Sequence, residues 1–324
     1  MPTSGAGRIR LLAAGFSALA RVGSWDLLNY RRCITAGRRA IEYSRAFNAA
    51  TRDDIVVNEF NIDLISERIA KDNRFKTVLC PQNIENLVPK PNYVTEIPGT
   101  ARTLTAEMSL MTRAKSVVTI SREECWLAGV ANRNSFYAPY VPARSEQVRL
   151  QKLCERRSPG RDVLVFGGFG NTPSFLGLLA QLEIWAASKV RDATLVLAGG
   201  SLDRLAGVSL PSRVRVEGWV DDNRLASLLA SARCVWIHQT PTSGFVTRFI
   251  DLALAGVPIV ANRIAARSAP DWVEVYENPH EFRQMLDRDG VSSLDSERIR
   301  KEVERLRTSA ESAFEHALEK TRGM

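Results

Sequence analysis

Two short segments of the chain combine residue types that can hold an anion. The first, Gly167-Gly168-Phe169-Gly170-Asn171-Thr172-Pro173, follows the apolar run Val163 to Phe166 directly. Thr172 suits an N-cap with Pro173 at the first helical position, which would leave free backbone N–H groups and the positive end of a helix pointing at a diphosphate. The same glycines also fit a tight strand-to-helix turn that needs them for conformation alone. The second segment is Gln239-Thr240-Pro241-Thr242-Ser243-Gly244-Phe245. Ser243 can cap the helix that follows it and leave the amides of Gly244 and Phe245 open to an oxygen ligand. Arg248 and Asp251 come next, three residues apart on nearby faces of one helix, a cation for phosphate and a carboxylate for hydroxyl groups. An internal salt bridge with no ligand fits that spacing too. His238, just before this segment, reads either as a group facing a ligand or as a satisfied structural histidine.

These residues need parallel α/β layers to bring them together, and the pattern supplies them. Short apolar runs alternate with longer helical ones from about residue 55 onward. Strands are predicted over 54–58, 76–80, 116–120, 163–166, 194–198, 214–216, 234–238 and 258–261. Helices are predicted over 62–70, 101–114, 122–130 with Ser121 as cap, 173–190, 222–232, 244–255 and in the tail from Pro279. Pro81, Pro89, Pro91 and Pro98 break regular structure over 82–100. A linker runs from Pro139 to Gly160 around a polar helix-like stretch, so the domains are predicted over 1–140 and 161–324. Glycine turns end two of the strands, at Gly167-Gly168 and Gly199-Gly200, and ligands of open parallel sheets bind beyond such carboxyl ends.

Composition narrows the function classes. The 324 residues are 45% hydrophobic and 25% charged, which fits a soluble two-domain protein and excludes disordered and coiled-coil classes. Cys33, Cys80, Cys125, Cys154 and Cys234 are scattered, which suggests reduced thiols in a cytoplasm. The three histidines, His238, His280 and His316, are too far apart to suggest a metal-ligand pair, so no metal and no cofactor is expected. Net charge is +8, and the first 52 residues hold nine arginines against Asp26 and Glu42. That segment suits an anionic membrane surface, and it also fits a solvated arginine-rich helix. Arg8 and Arg10 before the apolar stretch Leu11 to Ala20 leave a targeting segment open over residues 1–20. Nucleic acid is not expected as a partner, because no aromatic and basic interleaving accompanies the charge.

The run from Ser243 to Ala261, ending Ala253-Leu254-Ala255-Gly256-Val257-Pro258-Ile259-Val260-Ala261, resembles the donor-site helix of the group 1 (family 4) glycosyltransferases. Phe166-Gly167-Gly168, Val196 to Gly200, Val216 to Asp221 with Leu228 to Arg233, and Ser116 to Ser121 are similar to other family segments and stand in the family's order. The resemblance implies an α/β fold of two Rossmann-like domains facing a cleft (GT-B), here with a shortened N-terminal domain. It implies a retaining, metal-independent transferase that moves a sugar from a nucleotide-diphospho-sugar to a glycan or lipid-linked acceptor in polysaccharide biosynthesis. Asp251 matches the family's ribose-binding glutamate, Arg248 its phosphate cation, and Ser243 stands where the family has its first glutamate. Gly167, Gly168, Phe169, Thr172, Gly199, Gly200, Gly244 and Phe245 are the implied donor contacts. Asn83 and Glu85 resemble an acceptor-side turn of some relatives, and a turn asparagine beside a solvated acid fits them as well.

The chain also departs from the family's pattern. Ser243 carries no charge, Gly170-Asn171-Thr172 offers neither the arginine nor the lysine usual after the first loop, and residues 1–115 contain no histidine. These departures leave a second expectation, a catalytically silent GT-B scaffold that binds glycan or a partner transferase. Location is expected in the cytoplasm, at the inner face of a membrane.

Overall fold

A computed structural model describes residue 41 and residues 55–58, 76–81, 83, 84, 87, 104–170, 172–242, 244–287 and 294–323. The predicted helix over 62–70, most of the proline-rich interval and the arginine-rich N-terminal segment lie outside the described residues, as does Cys33. The chain divides into two units. The first takes Met1–Val88, Asn92–Ala138 and Glu311–Met324, and the second takes Pro89–Pro91 and Pro139–Ala310.

The first unit carries a four-stranded parallel sheet of β1 (Ile55–Asn58), β2 (Lys76–Leu79), β3 (Ser116–Thr119) and β4 (Ser135–Tyr137), in that spatial order. Helices α1 (Leu104–Arg113) and α2 (Arg122–Ala131) connect its strands. Alternation along each strand sends Leu79 and Val117 to one face, where Ile84, Leu110, Met111 and Ala128 pack, and Val78 and Val118 to the other, against Ala317. Ser121 caps α2 by accepting from the Glu124 amide, as its type and place predict. Buried Glu124 accepts the Ile84 amide at 2.9 Å, fixing the turn beyond β2. Asn132 ties off the end of α1 by donating to the carbonyls of Met111 and Ala114.

The second unit opens with α3 (Arg144–Glu155) and holds a six-stranded parallel sheet. Its elements in chain order are β5 (Val163–Gly168), α4 (Thr172–Ser188), β6 (Leu195–Gly200), β7 (Val214–Gly218), α5 (Asp222–Ser231), β8 (Cys234–Ile237), α6 (Arg248–Leu254), β9 (Ile259–Asn262), β10 (Glu274–Tyr276) and α7 (Pro279–Asp287). The spatial order is β10-β9-β8-β5-β6-β7. Nearly continuous apolar strands are buried on both faces, as a sheet with helices on each side requires. Leu164, Val235, Ile237, Ile259 and Ala261 meet α5 and α6 on one face. Val163, Val165, Trp236 and Val260 meet α4 and α7 on the other, where Trp236 stacks on Phe282 with ring centroids 4.0 Å apart. The chain ends in α8 (Ser296–Arg322), whose residues up to Ala310 belong to the second unit and whose end belongs to the first.

Four elements differ from the sequence expectation. Strands β4 and β10 have only three residues each and carry too short a pattern to be read alone. Helix α6 begins at Arg248 and not at Gly244. Gly244 takes φ 86° and Val246 is buried, so the segment before Arg248 is held by core packing, with bonds from the amides of Phe249 and Ile250 back to Val246 and Thr247. Helix α4 begins at Thr172 itself, one residue before its expected start. The described cysteines, Cys80, Cys125, Cys154 and Cys234, form no disulfide with one another.

Candidate functional site

The strand order of the second unit reverses direction between β5 and β8. The chain builds β5, β6 and β7 to one side, then returns to add β8, β9 and β10 on the other. Loops leaving the carboxyl ends of strands at such a switch run apart and leave a crevice, the usual ligand position in open α/β sheets. Here β5 pairs with β6 over six residues but with β8 only at Val163 with Cys234 and Leu164 with Val235. Beyond those pairs the two strands part, and the two anion-suited segments leave from the ends of the parting strands.

The first loop is shaped by its glycines. A Cβ on Gly199 would lie 1.9 Å from the Gly167 carbonyl oxygen, so the turns ending β5 and β6 approach as closely as backbone allows. Gly168 is exposed and has nothing within 4 Å of where a Cβ would be, so a ligand can reach this backbone. Phe169 is turned into the core. Its ring is 4% exposed in the core and its amide donates to the Gly200 carbonyl. Thr172 is not the N-cap either, since it is itself the first helical residue. Its hydroxyl is buried with no hydrogen-bond partner, in the first turn of a 17-residue helix whose N-terminal amides are an anion site by nature.

Two arginines flank this loop. The Arg248 guanidinium donates to the Phe166 carbonyl, and its Nη1 would be 2.9 Å from a Cβ on Gly167, so it lies directly against the glycine turn. Burial pulls its pKa below the ordinary value and Asp251 opposes that shift. Arg204, from the 3-10 turn Leu202–Leu205, donates to the Phe169 carbonyl at 2.7 Å and lies 3.8 Å over the Phe175 ring of α4. The sequence reading did not single out Arg204. Its contact spans 35 residues, and no local spacing announces it.

On the other side of the crevice, Asp251 is half-buried in the first turn of α6 and accepts from the Tyr140 hydroxyl at 3.3 Å. Burial raises its carboxyl to about 6. The Tyr140 hydrogen bond, Arg149 and Arg248 oppose that rise, and Glu146 adds to it. Tyr140 in turn is pushed up to about 12, by burial first and then by Asp251. Arg248 and Asp251 are therefore neighbours that share a field, though each makes its own hydrogen bond elsewhere. Phe245 turns its ring inward, edge-on to Phe249 at 6.4 Å, and the Gly244 carbonyl is taken by Arg267. Gln239 has its backbone clamped by the Asn262 side chain, which accepts its N–H at 3.1 Å and donates to its carbonyl at 2.8 Å. Its own side-chain oxygen is buried and unpartnered.

His238 follows β8 and shares the α4 side of the sheet with Trp236. Its Nδ1 is 2.5 Å from the Tyr276 hydroxyl, which also receives the Trp236 indole N–H at 2.9 Å. Burial lowers its pKa to about 4, so the ring is neutral. Gly177 of α4 is packed against its backbone, with a Cβ there falling 2.3 Å from the His238 carbonyl oxygen.

The structure thus gathers Gly167, Gly168, Thr172, Arg248 and Asp251 around the carboxyl ends of β5 and β8, with Gly199, Gly200, Gly244, Phe169 and Phe245 serving chiefly to build the loops. Ser243 and Glu85 lie outside the described residues. Asn83 is half-buried in the turn beyond β2 of the first unit. Tyr140, Arg204, Asn262 and Tyr276 were not found from sequence. A signal existed for one pairing only, because residues two apart at a strand end, such as Trp236 and His238, share a face.

No family model matches the chain, and no curated protein matches its sequence. Solved structures do. The Anabaena protein HepE, determined in complex with UDP-glucose, is similar over 97% of this chain and 96% of its own, with 14% identity and a TM-score of 0.56. AviGT4, a glycosyltransferase involved in avilamycin A biosynthesis, is similar over 100% of this chain and 96% of its own, with 18% identity and a TM-score of 0.55. TarM is similar over 87% of this chain with 14% identity and a TM-score of 0.51, and the chain spans 54% of TarM's length. The likeness shows the fold: mixed α/β with parallel sheets, of the GT-B class.

Proposed function

We propose that the protein is a glycosyltransferase that takes a sugar from a nucleotide-diphospho-sugar and gives it to a glycan or lipid-linked acceptor. One observation carries this reading: at the switch point of the second unit, Arg248 lies against the Gly167-Gly168 turn while Asp251 stands one helical turn further on. The α4 amides, the Thr172 hydroxyl and Arg248 would bind the diphosphate, and Asp251 would accept from ribose hydroxyls. Arg204 supplies positive charge at a loop that has no arginine or lysine of its own. Departure of a nucleoside diphosphate builds negative charge on its oxygens, and preorganised amides and a guanidinium stabilise that charge without reorganising at the moment of reaction. Because the departing phosphate can accept the acceptor's proton, the reading is of retaining, metal-independent transfer of a hexosyl-type group. Asn83 and Glu85 are the proposed acceptor contacts. The arginine-rich first 52 residues suit a peripheral position on an anionic membrane face in the cytoplasm, where lipid-linked glycans of polysaccharide biosynthesis are displayed.

Thermal shift against UDP, GDP and ADP and their sugars tests the site. A donor present at a hundred times its Kd should stabilise the protein by about 2.7 kcal/mol. Arg248→Ala or Asp251→Ala should abolish that shift. If none of these nucleotides shifts the midpoint, the donor-site reading falls.

A second reading, a silent scaffold that binds glycan or a partner transferase, is favoured by Ser243 standing where an acid is expected. Binding of a nucleotide sugar with no release of its sugar, in the presence of cell-envelope acceptors, would decide for it.

A further inference from the structure

We infer that His238 is a hydrogen-bond donor of the nucleotide-sugar site, its Nε2–H fixed in that tautomer by Tyr276 and Trp236 and directed to a diphosphate oxygen. The inference rests on the donor-site reading above and adds a residue to it.

The hydrogen bonds dictate the tautomer. An indole N–H can only donate, so the Tyr276 hydroxyl oxygen is an acceptor towards Trp236 at 2.9 Å. The same hydroxyl has one proton to give, and the atom 2.5 Å away is His238 Nδ1. No other acceptor for that proton lies among the described residues, so Nδ1 accepts it, and in a neutral ring the remaining proton belongs to Nε2. Tyr276 is not free to swing away, since it is 1% exposed and its ring packs against both Trp236 and Phe282. Nε2 has no hydrogen-bond partner among the described residues and His238 is only half-buried, so that N–H is available to a ligand.

Position makes this donor relevant to an anion. His238 follows the last residue of β8, one residue before Gln239, on the α4 side of the sheet. Its carbonyl is pressed against Gly177, so the first turns of α4 and the imidazole are held in one rigid group. Its low proton affinity, a consequence of burial, means that it donates without becoming a charge that the crevice would have to solvate. It belongs to the α4 side of the sheet, where Arg248 comes from α6 on the other side, and the two would serve the phosphates differently: a neutral N–H gives direction, where the guanidinium gives charge. Tyr276 and Trp236 act through the imidazole and are positioning residues.

The tautomer is tested first by nitrogen NMR of histidine-labelled protein, with His238→Gln assigning the signal. The expected result is a protonated Nε2, an unprotonated Nδ1 and no titration between about pH 5 and 8. Tyr276→Phe should mix the tautomers while the pKa stays low, because burial and not the hydroxyl lowers it. Calorimetry with UDP tests the role. His238→Ala should weaken binding about tenfold, His238→Gln should recover part of the loss through its amide N–H, and Tyr276→Phe should lose a smaller part, because a mixed tautomer presents the Nε2–H only some of the time. A wild-type ring protonated on Nδ1, or UDP affinity unchanged in a folded His238→Ala protein, overturns the inference and leaves the donor site standing. Failure of the wild type to bind UDP or any other nucleoside diphosphate overturns both.

Discussion

The two sides of the crevice hold a titratable group each, and each is held by a tyrosine. On the α6 side the Tyr140 hydroxyl donates to the Asp251 carboxylate. On the α4 side the Tyr276 hydroxyl donates to His238 Nδ1. Burial acts on both in the same sense, towards the neutral form, and so moves the two pKa values in opposite directions, to about 6 and to about 4. Between those values both groups are uncharged. Above about 6 only Asp251 is charged, facing Arg248, and the imidazole stays neutral throughout. The difference teaches that burial decides the charge each side carries at neutral pH, while the tyrosine decides which atom is left for a ligand.

Gly177→Ala should break the comparison on one side with the largest effect. A methyl 2.3 Å from the His238 carbonyl must push α4 off the end of β8, for about 2 to 3 kcal/mol of stability by chemical denaturation. Asp251 titration should be unaltered, because α6 lies on the other face of the sheet. An equal loss on both sides would mean that the two halves of the crevice are one unit.

Acid dependence should separate the sides next. Asp251, with a raised pKa, contributes stability that is present below its ordinary 3.8 and lost as pH rises through about 6. His238, with a lowered one, contributes stability that is present above 6.5 and lost as pH falls through about 4. The two slopes oppose each other in the same window and offset in the wild type. Asp251→Asn should leave a midpoint that falls on acidification through that window, and His238→Gln one that falls as pH rises through it. Melting curves from pH 3.5 to 7 read both, and parallel curves would show that neither group is buried enough to matter.

Tyr140→Phe should have the smallest effect. Its hydrogen bond is long and half-buried, so the stability change should stay below about 1 kcal/mol. The Asp251 pKa should rise further, because the bond that favours its charged form is gone. Carbon-detected NMR of the carboxyl checks that direction, and a fall would assign the present value to another neighbour.

Much of this frame was legible in the residues. Strands such as Val163 to Phe166 and Cys234 to Ile237 announce themselves as unbroken apolar runs before polar or glycine-rich turns, and Asp251 and Arg248 stand out as charges on an otherwise apolar helix. The start of α6 was not legible. Phe245 and Val246 carry a helical pattern, but their burial is satisfied by an irregular segment once Gly244 turns the chain. Tyr140 and Arg204 were invisible for a different reason: they act on groups 111 and 35 residues away, and only the completed sheet brings them near. Strand β10 hides Tyr276 in a three-residue element whose purpose is visible only beside His238.

The early end of the β5 and β8 pairing leaves the Phe166 carbonyl with no strand to receive, and Arg248 supplies the missing rung from a side chain. The guanidinium is thereby part of the scaffold as well as of the binding surface. Its planar fork has donors enough to keep the carbonyl and still greet a phosphate, which the single ammonium head of a lysine cannot do in the same geometry. A swap that preserves charge at this position would therefore force a choice between an intact sheet margin and an occupied site.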